Sequence, residues 1–377
     1  MLIRDVIAEI ERFAPLAYQE DYDNAGLITG SANWEAKAAL LCLDTTEAVI
    51  DEAIEKNCNL VIAHHPILFS GLKKITGKTY VERVIIKAIK NDIAIYAAHT
   101  NLDNVRYGVN HKIAKKLGLI NCQTLAPKSK MLRKLIVYVP LKEDNIDDPD
   151  SYRDEHVEHV KQAIFNAGGG AIGNYDQCSF TVVGTGTFRG NDNANPTIGD
   201  KNEYEFQPEA KVEIIYPHQL ERTIVNAMIK AHPYEEVAYS LFEMQNATTQ
   251  IGSGLIGELK EETSYGSFLT HVKTTMKCGV IKHTKLLDRP MKTVAICGGS
   301  GSFLLNNAIA AKADIFITAD YTYHKFFDAD GKIVIADIGH YESEQYTNEI
   351  FSEILSKKMP NFALLFTETN TNPIKYF

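Results

Sequence analysis

The sequence predicts an α/β fold interrupted by an inserted α+β module. Three observations carry this reading. Short apolar runs alternate with stretches of helical periodicity toward both ends of the chain, the pattern of parallel βαβ units. The middle reads strand, helix, strands, helix, strand, the order of a ferredoxin-like module. The length of 377 residues exceeds what one compact domain usually needs.

The first lobe is predicted over residues 1–127. Residues 2–13 place apolar side chains at helical spacing. Residues 38–44 form an apolar run that ends in Asp44 and reads as a buried strand. Thr45 or Thr46 can cap a helix reaching Asn57, with Glu47 in its first turn. Residues 60–63 are a second buried strand, which stops at His64. A helix over 80–91, a strand over 93–98 and a helix over 110–117 follow. Residues 124–130 (TLAPKSK) are polar, hold a proline and lack periodicity, so they read as a boundary.

The insert is predicted over 128–246. Its strands are expected at 132–139, 179–185, 210–216 and 238–243, and its helices at 151–167 and 220–230. An acidic loop, EDNIDDPD, spans 143–150. The α/β pattern then resumes over 247–377. Helices are expected at 267–275, 302–312 and 343–357, and strands at 293–297, 315–318, 333–338 and 363–367. Gly298, Gly299, Ser300 and Gly301 read as a tight turn between strand and helix.

Composition narrows the function classes. Hydrophobic residues make up 45% and charged residues 23%, ordinary globular values that exclude wholesale disorder. A net charge of -9 repels phosphate backbones, so general nucleic-acid binding is not expected. A small phosphorylated substrate stays compatible, because a bound cation dominates its own surroundings. The six cysteines are scattered without a CxxC pair, against a disulfide framework or structural zinc knuckle. Reduced thiols in a cytoplasmic protein are the simpler expectation. Charges run through residues 1–15, unlike a signal peptide, and no stretch approaches the ~20 apolar residues that cross a bilayer.

Three clusters carry candidate chemistry. His64 and His65 directly follow a predicted strand, where open α/β sheets gather functional groups. On extended backbone they would point to opposite sides and suit two neighbouring ions, one each. Pro66 stiffens the exit. Asp103 follows the next strand in the segment AHTNLDN, and its two oxygens can bridge metals. His99 in that segment is read first as a partner behind the ligands, with ligation or proton transfer as alternatives. His340 and Glu344 lie four apart between a strand and a helix, so they share a helix face. Gly339 permits the turn before them. Alone, each cluster has a plainer reading as a polar cap or turn. Together they supply three imidazoles and two carboxylates without a cysteine. That is too many for a closed four-ligand zinc site and leaves positions open to water. Mixed nitrogen and oxygen donors suit Zn, Mn, Fe, Co or Ni. Two metals sharing a carboxylate would activate water for hydrolysis and clamp an anionic substrate.

Weaker candidates are the Gly298–Gly301 turn as a phosphate cradle, Tyr321, Tyr323 and His324 as substrate contacts, and His232 with Glu235 as a small-ligand site in the insert. Asp21, Asp23 and Asn24 cap a turn or line the cavity.

The motifs DYDNAGL at 21–27, LVIAHHPILF at 60–69, AAHTNLD at 97–103 and ADIGHYESE at 336–344 resemble the Nif-three-like family, the NGG-one-interacting factor three group. CGGSGS at 297–302, ITADYTYH at 317–324 and TNP at 371–373 extend the resemblance over essentially the whole chain. Ala319 stands where many relatives have glycine. The resemblance implies a dinuclear centre of His64, His65, Asp103, His340 and Glu344 holding two divalent metal ions, zinc first. It also implies that HPYEEVAYSLFEMQ at 232–245 belongs to an insert like the PII and CutA modules. It further implies a ring-shaped homohexamer and a GTP cyclohydrolase I type 2 name. The resulting expectation is a metal-dependent hydrolase of a nucleotide or similar phosphorylated small molecule, with His99 or Glu344 moving protons. A dimetal phosphoesterase is chemically as reasonable. The rival is a non-enzymatic metal-binding or regulatory assembly.

Overall fold

The computed structural model describes residues 1–142 and 153–377. The expected acidic loop at 143–150 and the first two residues of the helix expected at 151–167 lie outside the described residues. The chain forms two compact units, residues 1–127 with 249–377, and residues 128–248.

The first unit holds two sheets. One runs in the order Gly26–Thr29, Ala94–Ala97, Leu60–Ala63, Ala38–Cys42, Ala363–Phe366. Its last four strands are parallel, and Gly26–Thr29 closes one edge antiparallel. The three central strands are buried throughout, which is why they read as unbroken apolar runs. Their alternate side chains feed two cores. Leu41, Leu60 and Ile62 meet Val6 and Ile10 of the helix Ile3–Phe13 and Phe351 of the helix Thr347–Lys358. Leu40 and Val61 meet Val49 and Ile50 of Glu47–Glu55 and Val84 and Ile85 of Tyr80–Lys90. Thr46 and Thr79 cap those last two helices, accepting from the Val49 and Glu82 amides.

The second sheet runs Lys282–His283, Val334–Asp337, Ile315–Ala319, Met291–Ser300, Thr248–Thr263, Ile120–Lys128. Two of these strands correct the sequence reading. The units divide after Pro127, within the expected boundary at 124–130, but Ile120–Lys128 leading into it is an edge strand that was not expected, where Pro127 and exposed side chains are tolerated. Thr248–Thr263 was not expected as a strand, because its glycines and its charged end break the alternation. The strand Met291–Ser300 also runs through the glycines expected to form a turn. Ala363–Phe366 returns to the first sheet and Ile120–Lys128 joins the second, so each lobe receives a strand from the other half of the sequence.

The second unit is a four-stranded antiparallel sheet in the order Phe180–Phe188, Glu205–Pro217, Leu132–Pro140, Tyr239–Met244. The helices Glu155–Asn166 and Glu221–Ala231 bury Val157, Val160, Ile224 and Met228 against Leu135, Val137 and Val212. Connectivity and strand order are ferredoxin-like, as the element order predicts.

Glu52 anchors the chain that leaves the last strand. It accepts hydrogen bonds from Thr367 and Thr369 hydroxyls, from the Glu368 amide and from Lys56. Burial opposes its charge, but these bonds outweigh it and hold its pKa at about 2. A depressed folded pKa contributes stability that is present above the ordinary value of 4.5 and is lost as pH falls toward 2. Glu52→Gln should therefore cost about 2 kcal/mol at pH 7. It should also flatten the loss of stability below pH 4.5, as urea unfolding at several pH values would show. Equal acid sensitivity in both proteins would contradict this assignment.

Candidate metal centre

The carboxyl ends of three parallel strands deliver the candidate ligands. Leu60–Ala63 is followed by His64 and His65. Ala94–Ala97 leads into the short helix Thr100–Asn104, which carries Asp103. Val334–Asp337 leads into the short helix His340–Glu344. Gly339 makes that last turn at φ 94°, and a Cβ there would lie 2.2 Å from the Glu342 carboxylate.

Glu344, 3% exposed, sits at the centre. Its Oε2 lies 2.9 Å from His65 Nε2 and 3.0 Å from His340 Nε2, and those two nitrogens are 3.2 Å apart. Its Oε1 lies 3.8 Å from His64 Nε2, which is 3.6 Å from Asp103 Oδ1. His64 and His65 do not diverge as expected. The backbone bends after Ala63, the rings stand 4.9 Å apart, and both face Glu344. The carboxylate facing both groups of histidines is Glu344, whereas sequence reasoning gave the bridging position to Asp103.

Each ring is held from behind. Nδ1 of His64 donates to the Ala98 carbonyl at 2.9 Å. Nδ1 of His65 faces Asp44 at 2.7 Å, and Nδ1 of His340 faces Asp320 at 2.6 Å. Nδ1 of His99 faces Asp23 at 2.7 Å. An oxygen at Nδ1 fixes the tautomer and aims Nε2 inward, the arrangement that orients metal-binding histidines. His99 is thereby oriented without contacting Glu344. Its ring stands edge-on to His64 and His65 at 5.4 Å.

The donor set fits a cation. With Nδ1 against the Ala98 carbonyl, Nε2 is the ring atom of His64 that faces the site, and carboxylate oxygens of Asp103 and Glu344 lie 3.6 and 3.8 Å from it. Nε2 of His64 and Oδ1 of Asp103 are both buried without a hydrogen-bond partner. Unpaired buried polar atoms are costly, and a cation between these two would satisfy both. His64, His65 and Glu344 offer ligand atoms all within 4.8 Å of one another, so this group can hold a metal ion. In the side chains alone, protons balance the charge. Burial works against charge on His65, but Asp44 and Glu344 outweigh it and raise its pKa to about 9. Burial likewise opposes His340, yet Glu344 and Asp320 lift it to about 11. Burial and the neighbouring Glu344 push Asp103 up to about 8. Glu344 stays well below the ordinary range, because the charge of His340 overcomes its burial. A cation at these atoms would replace the protons.

Glycine makes room for the central carboxylate. Gly299 has φ 61°, and a Cβ on it would lie 2.4 Å from Glu344 Oε1. Gly299→Ala should leave the fold intact and weaken metal binding by about tenfold, as displaced supporting groups do. Titration with zinc under competition by a chromophoric chelator measures this, and unchanged affinity would contradict it. The same segment is not a phosphate cradle. The amides of Gly298, Gly299 and Gly301 donate to Asn110, Ser343 and Thr318 side chains.

Other sequence candidates fall elsewhere. Tyr321 is buried in an apolar cluster, and Tyr323 is exposed against His324 and Phe327. In the insert, His232 spans the Tyr138 carbonyl and the Tyr234 amide, and Glu235 accepts from the Asn195 amide. Both are engaged with the backbone. Sequence reasoning missed the roles of Asp44 and Asp320 and left Asp23 between turn and cavity. The available signal was an aspartate at or near a strand end beside each histidine strand.

His65, His99, Asp103, His340 and Glu344 line a cavity of about 480 Å³. Fold and site together define an α/β protein with a strand-end histidine–carboxylate cluster able to hold a metal ion. The chain belongs to the Duf34/NIF3 (NGG1p interacting factor 3) family, whose model matches residues 1–373. It is 38% identical to the GTP cyclohydrolase 1 type 2 homolog of Bacillus subtilis, over 99% of this chain and 98% of that one. The homolog of the same name from Listeria innocua is 34% identical, over 98% and 97%. Among solved structures, a Bacillus cereus protein related to NIF3 superposes with a TM-score of 0.83 at 35% identity, over 100% and 99% of the two chains. Staphylococcus aureus protein SA1388 gives 0.77 at 25% identity, over 100% and 99%. No helix among the described residues is long and apolar enough to cross a membrane.

Proposed function

We propose that the protein is a dinuclear metal-dependent hydrolase acting on a nucleotide or related phosphorylated small molecule. The observation that supports this is the division of the Glu344 carboxylate, with Oε2 toward His65 and His340 and Oε1 toward His64 and Asp103. His65, His340 and Glu344 would hold one divalent cation, and His64, Asp103 and Glu344 the other. Bound there, the cations would supply Lewis acidity and make water acidic enough to attack at neutral pH. Nitrogen and oxygen donors without thiolate suit Zn, Mn, Fe, Co or Ni without selecting among them, and zinc is the first to try.

The chain's own residues have distinct tasks in this reading. Asp44 and Asp320 keep His65 and His340 in the ligating tautomer. Asp23 fixes His99 through Nδ1, so Nε2 of His99 is the atom that takes or returns a proton at the cavity. The relatives' name, GTP cyclohydrolase 1 type 2 homolog, supplies GTP as the first substrate to try. Metal-loaded protein and the His65→Ala/Asp103→Ala double variant should be compared on GTP, with formate release as readout, and on a panel of phosphoesters. The wild type should turn over at least one of these, and the variant should lose on the order of 100-fold or more. Equal activity in both, or activity in neither, counts against the hydrolase.

A further inference from the structure

We propose that this cavity takes the flat ring end of its substrate, against Tyr22, Phe69 and Phe303, and leaves any polyphosphate outside. This rests on the metal-centre reading above and selects within its substrate range. Tyr22, Phe69 and Phe303 come from three separate segments and all line the cavity that holds His65 and Glu344. They are 73%, 59% and 63% exposed. Large aromatic faces left in water around a small cavity mark a binding surface, since single scattered apolar residues would not converge on one opening. Phe69 also stands edge-on to His99 at 5.7 Å, so the rim adjoins the residue assigned to proton movement. A volume of about 480 Å³ suits one nucleoside-sized molecule.

Charge decides which end enters. Among the described residues lining the cavity there is no lysine or arginine. Glu20, Asp44, Asp103 and Glu344 line it instead. These four carboxylates balance the four positive charges of two divalent cations and leave no excess for a triphosphate. Sites that bind polyphosphates add lysine, arginine or a nest of free amides, and the amides of Gly298, Gly299 and Gly301 are already engaged by side chains. An uncharged heterocycle meets no such penalty, and its faces stack on aromatic rings whatever its ring substituents. Tyr22, Phe69 and Phe303 are therefore the residues that set specificity, and the bond presented to the metals is one in the ring rather than a phosphoester.

Calorimetric titration of zinc-loaded protein with guanosine, GTP and inorganic triphosphate tests this, with metal content measured on the same samples. Guanosine and GTP should bind within about threefold of each other, and triphosphate should be at least about 100-fold weaker. Phe303→Ala and Phe69→Ala should each weaken guanosine binding by roughly tenfold at unchanged metal content, the scale of one stacking contact. Phe303→Leu should fail like alanine, and Phe303→Tyr should restore binding, because a flat face rather than apolar bulk is required. Triphosphate binding as tightly as GTP, or aromatic variants with undiminished guanosine affinity, would overturn the inference. So would metal-loaded protein that binds neither guanosine nor GTP. A protein that takes up no metal overturns the metal-centre reading itself, and with it this inference.

Discussion

Glu344→Ala should leave the protein without bound divalent metal, whereas wild type should carry about two equivalents per chain. Among the described residues, Glu344 is the carboxylate that lies within 4 Å of His64, His65 and His340 together. Its Oε2 is within 3.0 Å of His65 and His340 nitrogens, and its Oε1 faces His64. Removing it takes a ligand from each cation and the negative charge from the centre of the site. Loss of a supporting residue alone costs about 10–100-fold, so a shared ligand should exceed that. Glu344→Gln keeps the shape and removes the charge, and should fall between. Metal analysis after dialysis reads the result, with circular dichroism confirming the fold. Full metal content in the alanine variant would refute the shared-carboxylate geometry.

The next largest effect is expected behind the ligands. Asp44→Ala and Asp320→Ala should each weaken metal binding by about 10–100-fold without touching a metal. Asp44 holds Nδ1 of His65, and Asp320 holds Nδ1 of His340. Without its carboxylate each imidazole can rotate or adopt the tautomer that blocks Nε2. The consequence should be unequal between sites. Both variants should empty the cation held by His65 and His340 and spare the one held by His64 and Asp103. Stoichiometry should therefore fall from about two toward about one, by competition titration. Loss of both metals together, or of neither, would contradict separate sites.

Much of this centre was legible in the sequence, because its ligands follow apolar runs that can only be buried strands. His64, His65 and Asp103 lie just beyond such runs, and the four-residue spacing of His340 and Glu344 places both on one turn of helix. What was not legible depends on how the chain bends after the strand. Extended geometry at 64–65 predicted divergent rings, while the observed bend brings both onto Glu344. The partners at Nδ1 are 21, 76 and 20 residues from their histidines, so no local pattern joins them. The fold divides in the same way. Fully buried parallel strands were readable, whereas the exposed edge strand Ile120–Lys128 and the glycine-bearing Thr248–Thr263 have no pattern of their own. Their pairing is set by the neighbouring strand rather than by local propensity.

Anomalous X-ray scattering from crystals of the zinc-loaded protein tests the central claim most directly. Two peaks per chain are expected, one among His65, His340 and Oε2 of Glu344, the other among His64, Asp103 and Oε1 of Glu344. A single peak, or metal bound away from Glu344, would contradict it.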